Sequence, residues 1–500
     1  MSSSLRESRE TEPLLASASG DDPKDNVVAF APDDPEDPRN WPSSRKWLMI
    51  AAIMPIDLSV SWGASGFSPA AGDFAKDMDI SNTVATLGLS MYVLGLAFGP
   101  MSLAPLSEYF GRRPIYVFSY ATFLIILLGS SFVHNVGAFL FLRVASGYFS
   151  SVTISNFGGT IADLFSHHDT GPAMSLFLWA ATGGSPTGFV LFSFIAQGRS
   201  WRDTFRIMFF ICLAFWVILT AALYYLGETR HSVILLRRAE RLRKSTGDPT
   251  FDVPDELKQR GLKQLVGTAL ARPFRFLATE AIVQFSALYN GYLYGLSFLF
   301  NGAFHIIFGP TGYGYNTIGV GLSFLGICVG ITIGLFTNIH QERYYQRRIA
   351  ESQRREDAQD VPEARVYHAH IATAVLPISL FAFAFTAKPE IPAIVPIIVS
   401  ALWGWSFYTL ILMTLTYTED AYKTYSASAL AGIGLVRNIA GAAFPIAGRK
   451  LFLNQGTQMS CIILGAFAMV MVPIPAILTK YGKALRKRSP WASEHLQEED

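Results

Sequence analysis

Thr83-Val-Ala-Thr-Leu-Gly-Leu-Ser-Met-Tyr-Val-Leu-Gly-Leu-Ala-Phe-Gly-Pro-Met-Ser-Leu-Ala-Pro105 contains no charged side chain. A helix needs roughly 20 apolar residues to cross about 30 Å of hydrocarbon. Only helices or closed barrels satisfy their backbone groups in lipid, and barrel strands are only about 10 residues with alternating polarity. This run therefore reads as a membrane-spanning helix. With eleven similar runs, the spans fall at 47–68, 83–105, 113–133, 137–161, 173–196, 204–226, 277–301, 316–338, 368–387, 391–416, 427–448 and 458–479. The expected fold is an all-α membrane protein with twelve transmembrane helices in two six-helix bundles. Residues 1–46 form a disordered N-tail, 47–226 the first bundle, 227–276 a central loop, 277–479 the second bundle and 480–500 a C-tail.

The composition agrees. Of 500 residues, 51% are hydrophobic and 16% charged, where a soluble domain carries about a quarter charged. An even number of spans puts both tails on one side. Of the 40 Lys and Arg residues, 31 fall on the tail side, seven on the other, and Arg143 and Arg437 inside spans. Positive charge stays cytoplasmic, so both termini are expected in the cytoplasm. Cys212, Cys328 and Cys461 lie within apolar spans and read as small buried hydrophobes. The first forty residues contain no apolar segment resembling a cleavable signal.

Two features lie outside the spans. Glu10, Leu14 and Leu15 fit an acidic dileucine sorting pattern. It keeps the vacuole or another endomembrane open beside the plasma membrane, the default location. Ile234–Lys244 reads as a basic amphipathic helix, either lying on the inner leaflet or linking the two halves. The second and eighth spans echo each other: Gly88-Leu-Ser is followed by Gly95 and Gly99, and Gly321-Leu-Ser by Gly326 and Gly330. Small residues four apart let helices pack closely in lipid.

Between the second and third spans stands Pro105-Leu-Ser-Glu-Tyr-Phe-Gly-Arg-Arg-Pro114. With the twelve-span plan this resembles the major facilitator superfamily, whose signature there is Gly-x-Leu-Ala-Asp-x-x-Gly-Arg-Arg/Lys. Ala104 stands for the first Gly and Glu108 for the Asp. More of the chain resembles the fungal twelve-span drug:proton antiporters. The matching pieces are Asp34–Pro42, Arg143-Val-Ala-Ser-Gly147, Gly158-Gly-Thr-Ile-Ala-Asp163, Trp201-Arg202, Gly227-Glu-Thr-Arg230, Leu288–Gly295, Ser428-Ala-Leu-Ala431 and Gly441-Ala-Ala-Phe-Pro445. The resemblance implies that Glu108, Gly111, Arg112 and Arg113 with Asp163 form a cytoplasmic gate latching the outward-facing state, and Asp420, at the inner end of the tenth span, is expected to belong to that gate by its position. The resemblance also ties Arg143 to proton coupling. The fifth span departs from the family's Gly-Pro repeats, keeping Gly183, Gly184, Pro186 and Gly188 as a kinking, close-packing segment.

Ionisable residues at membrane depth are costly and point to function. Asp57 shares one face of the first span with Ser61 and Ser65. Its carboxyl is a candidate for carrying a proton, pairing with a cationic substrate or pairing with Arg143. Glu280, Gln284, Tyr294, Asn301 and His305 make a polar stripe on the seventh span expected to face a cavity, with His305 reaching the solvated outer loop. Trp403, Trp405, Phe407 and Tyr408 make the tenth span aromatic. The substrate-binding candidates are Asp57, Ser61, Asn290, Tyr294, Asn301 and Trp405. No phosphate-cradling Gly-Lys-Ser/Thr loop, Cys/His metal spacing or nucleophile arrangement occurs, so neither enzyme chemistry, a metal nor a cofactor is expected. The expected partners are protons, a small-molecule substrate and the bilayer, with no nucleic acid and a monomeric state. The sequence thus points to proton-coupled efflux of amphipathic or cationic organic compounds, with uptake or exchange of one organic anion or polyamine, or a non-transporting receptor, as alternatives.

Overall fold

Apolar chain in lipid must close its backbone hydrogen bonds internally, and helices do so one turn at a time. The computed structural model describes residues 27–166, 169–254, 262–354 and 362–493. The sorting pattern at Glu10, Leu14 and Leu15 lies outside the described residues. Among those described, secondary structure is helical apart from one isolated bridge, Val27 with Asp252.

The first seven spans follow the expected order. They are Ser43–Ser65, Asn82–Phe110, Arg112–Ser130, Val136–Ser150 continued by Val152–Leu164, Thr170–Ala196, Trp201–Leu226 and Ala281–Phe308. Then come Thr317–Ser323 with Leu325–Arg354, Ala369–Thr386, Ile394–Tyr422, and Ser426–Met471 continued by Ile474–Arg488. Eleven of these described stretches are long and apolar enough to cross a membrane. The last hides two crossings. Gly456 breaks it with φ +74°, a conformation that costs glycine little. Tyr292 packs against Phe444, with ring centroids 6.4 Å apart, and its hydroxyl donates to the Leu464 carbonyl. About 20 residues of straight helix would separate those two by roughly 30 Å. The chain therefore doubles back, giving the eleventh and twelfth spans.

The halves meet along two seams, the second span against the eleventh and the fifth against the eighth. The end that carries Trp41 and Arg488 is called the tail end below, and the opposite one the far end. Two helical details differ from the sequence reading. The eighth helix runs past residue 338 to Arg354, and the central segment holds a second helix, Leu262–Thr279, that packs on the second and eleventh spans. The basic helix, His231–Thr246, buries Leu235, Ala239 and Leu242 against Val28, Phe251 and Val253. Its apolar side is covered by the chain itself, which favours the linker reading.

Candidate functional site

At mid-depth, charge from each half approaches the seam. Asp57 of the first span is 1% exposed. Thr153 Oγ1 donates to its Oδ1 at 3.1 Å, and Oδ2 is buried without a partner among the described residues. Arg437 of the eleventh span stands near it in the other half. Its guanidinium lies 4.4 Å above the Tyr294 ring, and its Nε also lacks a partner. Tyr294 packs on Phe407, and Phe407 stacks on Trp403 at 4.9 Å. One turn from Tyr294, Asn290 donates to Thr414 Oγ1 at 2.7 Å, leaving its own Oδ1 unsatisfied. Polar atoms left open at this depth are costly unless a ligand, water or proton completes them.

Other expected site residues lie elsewhere. Ser61 donates to the Ala181 carbonyl of the fifth span at 3.1 Å, and a Cβ on Gly184 would meet Ser61 Cβ at 2.5 Å. The glycines of the fifth span thus let the first span pack closely, with Ser61 as part of that contact. Trp405 turns to the eighth span, donating to Thr337 at 3.0 Å. Gln284 is exposed and donates to the Leu277 and Ala278 carbonyls, so the seventh-span stripe does not face one cavity throughout. Glu280 sits at the break before that span and accepts from Tyr422 at 2.9 Å. Arg143 is fully buried, but Asp57 is not its partner. It donates to the Gly88 carbonyl at 2.7 Å and the Ala64 carbonyl at 3.4 Å, with the Tyr92 ring 4.6 Å from its guanidinium. A cation held by carbonyls and ring faces ties the first, second and fourth spans together.

The tail end is closed. Gly111 (φ +99°) turns the chain so that the backbone N–H groups of Arg112 and Arg113 donate to Glu228 at 2.9 and 3.3 Å. Arg112 pairs with Asp163 at 3.2 Å, and Arg230 reaches the same carboxylate at 3.4 Å. Glu108 acts on Arg112 through space, and Arg113 covers the Tyr224 ring. The second half repeats the arrangement: Arg365 pairs with Asp420 at 2.9 Å and Glu342 at 2.7 Å, over the Tyr345 ring. Sequence reading found Asp420 but missed Arg365 and Glu342. Among the described residues, the hydrogen bonds between the halves here are neutral. Asn338 donates to Ser175 Oγ at 2.5 Å and Tyr408 to the Ser175 carbonyl at 2.9 Å.

The far end is parted beside the second and eleventh spans, while the fifth and eighth stay in contact there, the Ile318 N–H donating to Gln197 Oε1 at 3.0 Å. A cleft of about 350 Å³ separates Phe67, Asn82, Thr86 and Leu89 of one half from Asn301, His305 and Arg449 of the other. That volume suits a small organic ligand. His305 lies inside the seventh span's helix against Phe189, rather than in a solvated loop. Asn301 reaches Ser185 at 3.5 Å.

A two-bundle helical membrane protein, closed at one end, cleft at the other and charged at mid-depth, is a solute transporter rather than an enzyme. The chain belongs to the Major Facilitator Superfamily, whose family model matches residues 53–445. It is 34% identical over 488 residues to the major facilitator-type transporter sorT of Penicillium rubens, covering 96% of this chain and 91% of that one. It is 33% identical over 483 residues to the multidrug transporter mdrA of Aspergillus fumigatus, covering 96% and 78%. Among solved structures it resembles the proton:xylose symporter XylE, with a TM-score of 0.61 at 16% identity, covering 88% of this chain and 96% of that one. That likeness concerns the fold.

Proposed function

We propose that this transporter exports small amphipathic organic compounds, drugs or secondary metabolites, from a fungal cytosol by proton-coupled alternating access. It works as a monomer in the plasma membrane with both termini cytoplasmic. The carrying observation is the pair of incompletely satisfied charges, Asp57 from one half and Arg437 from the other, at mid-depth. A carboxylate that gains a proton releases the arginine it attracts, and substrate takes the vacated contacts beside Tyr294 and Phe407. Rocking of the halves then exposes the site at the other end. The direction is supported by relatives named efflux pumps or multidrug transporters, among them the Aspergillus fumigatus protein above and an efflux pump of Fusarium oxysporum. The charge bias toward the tail side supports the orientation.

The test is flux in proteoliposomes under an imposed pH gradient, comparing wild type with Asp57→Asn. Gradient-driven movement should be lost in the variant while exchange down a substrate gradient persists. Wild-type flux indifferent to the pH gradient would overturn the coupling.

A further inference from the structure

The far-end cleft carries one sign of charge. Arg449 lines it from the eleventh span, and its Nε is buried without a partner among the described residues. No carboxylate lines the cleft among those residues. Asp77 pairs with Arg202 at 2.5 Å, Asp203 with Arg206 at 3.1 Å, and Asp73 accepts the Trp201 N–H at 2.8 Å. Asn82, Thr86, Asn301 and His305 add neutral polar groups, and Phe67, Leu89, Ile306 and Leu453 add apolar wall. At mid-depth Asp57 and Arg437 carry opposite charges, whereas no acid in the cleft's described lining answers Arg449.

We propose that this cleft is a binding site for amphipathic organic carboxylates, with the acid on Arg449 and its amide and hydroxyl neighbours and the apolar body against Phe67, Leu89 and Ile306. A planar guanidinium matches a carboxylate with two parallel hydrogen bonds. The inference deepens the export reading by naming its substrate class and rests on that reading for direction alone.

Three probes share one apolar body and differ in charge: 1-naphthylacetate, its amide and 1-naphthylmethylamine. Binding to the purified full-length protein is read as displacement of tritiated 1-naphthylacetate, and flux is read in proteoliposomes. The carboxylate should bind at least about 10-fold tighter than the amide, as expected of a charge-assisted contact. Arg449→Gln should erase that preference without changing amide binding, and Arg449→Lys should keep part of it. A thermal melt verifies that both variants are folded. Absent carboxylate binding, amide or amine binding as tight, or a preference unchanged in Arg449→Gln would each overturn the site. Selective binding without gradient-driven flux would leave the site standing and overturn the export reading instead.

Discussion

Arg365→Gln should open the tail end. The Arg365 side chain is 6% exposed and the carboxylates of Glu342 and Asp420 are 16% and 15% exposed. Glu342 lies under the seam: a Cβ on Gly171, in the other half, would meet its carboxylate carbon at 2.6 Å. Glutamine leaves two carboxylates without their cation in the closed seam. Breaking a buried pair this way costs about 3–5 kcal/mol, and the residual hydration of both acids favours the lower figure. Opening the tail end rehydrates them, so the cost falls on the closed state. About 3 kcal/mol changes the closed-to-open ratio by roughly 100-fold. The assay places a cysteine at Met413, 3% exposed beside the tail-end seam, or at Thr86 in the far-end cleft, with Cys212, Cys328 and Cys461 replaced by alanine. Alkylation by a water-soluble maleimide should accelerate at least about 10-fold at Met413→Cys and slow at Thr86→Cys, because the ends open in turn. Arg365→Lys should fall between. An unchanged Met413→Cys rate in a folded protein would refute the energetics. Acceleration at both positions would mean a loosened fold and would refute rocking.

Gly111→Ala forces an alanine into φ +99° and drives its Cβ into the Glu228 carboxylate. Such backbone positions cost about 1–3 kcal/mol, so the melting temperature should fall; an unchanged melt refutes the turn's role. Where the segment ahead of the first span meets the basic helix, burial pushes the Asp34 carboxyl up, but the bond from Arg238 at 2.6 Å, the Glu36 backbone N–H and the Arg238 charge together outweigh it, leaving the pKa below its ordinary value. A depressed acid contributes stability above its unfolded pKa and loses it as pH falls through the folded one. Amide exchange at Val28 and Glu36, whose N–H groups are bonded here, should hence stay slow relative to an unstructured control from pH 8 to 5, and lose protection only below about pH 4. In Arg238→Ala protection should be weak at every pH, and wild-type loss near pH 6 would contradict the assignment.

The spans were legible because lipid leaves the chain one cheap solution, and apolar length announces it. The closed latch was legible where its parts are adjacent: Gly111, Arg112 and Arg113 stand together and Asp163 ends the fourth span. Asp57 and Tyr294 stand out in the sequence because polarity at depth is rare. The failures concern direction around a helix axis. Ser61 and Trp405 have suitable chemistry, but the first faces the fifth span and the second the eighth. Arg143 was read beside an acid, while the fold gives it carbonyls and rings. Arg449 and Arg365 sit where a span meets loop, where sequence reading expects ordinary solvated charge. Only the tertiary arrangement shows that one lines a cleft and the other is buried.

The two halves solve the tail end with the same parts. An arginine following the second span, Arg112, meets an acid 51 residues on at the end of the fourth. Arg365, following the eighth, meets an acid 55 residues on at the end of the tenth. The second copy is hard to read because the eighth helix continues to Arg354 and separates its arginine from the span. Both clamps lie within their own half. Among the described residues, the side-chain hydrogen bonds across the seam nearest this end are the neutral ones of Ser175 with Asn338 and Tyr408. A typical neutral hydrogen bond is worth about 1 kcal/mol net, so these bonds part far more cheaply than buried ion pairs. The clamps therefore need not break for the halves to rock. Their work is to neutralise acids such as Glu342 before the other half closes over them, which makes closure affordable and reversible within one transport cycle.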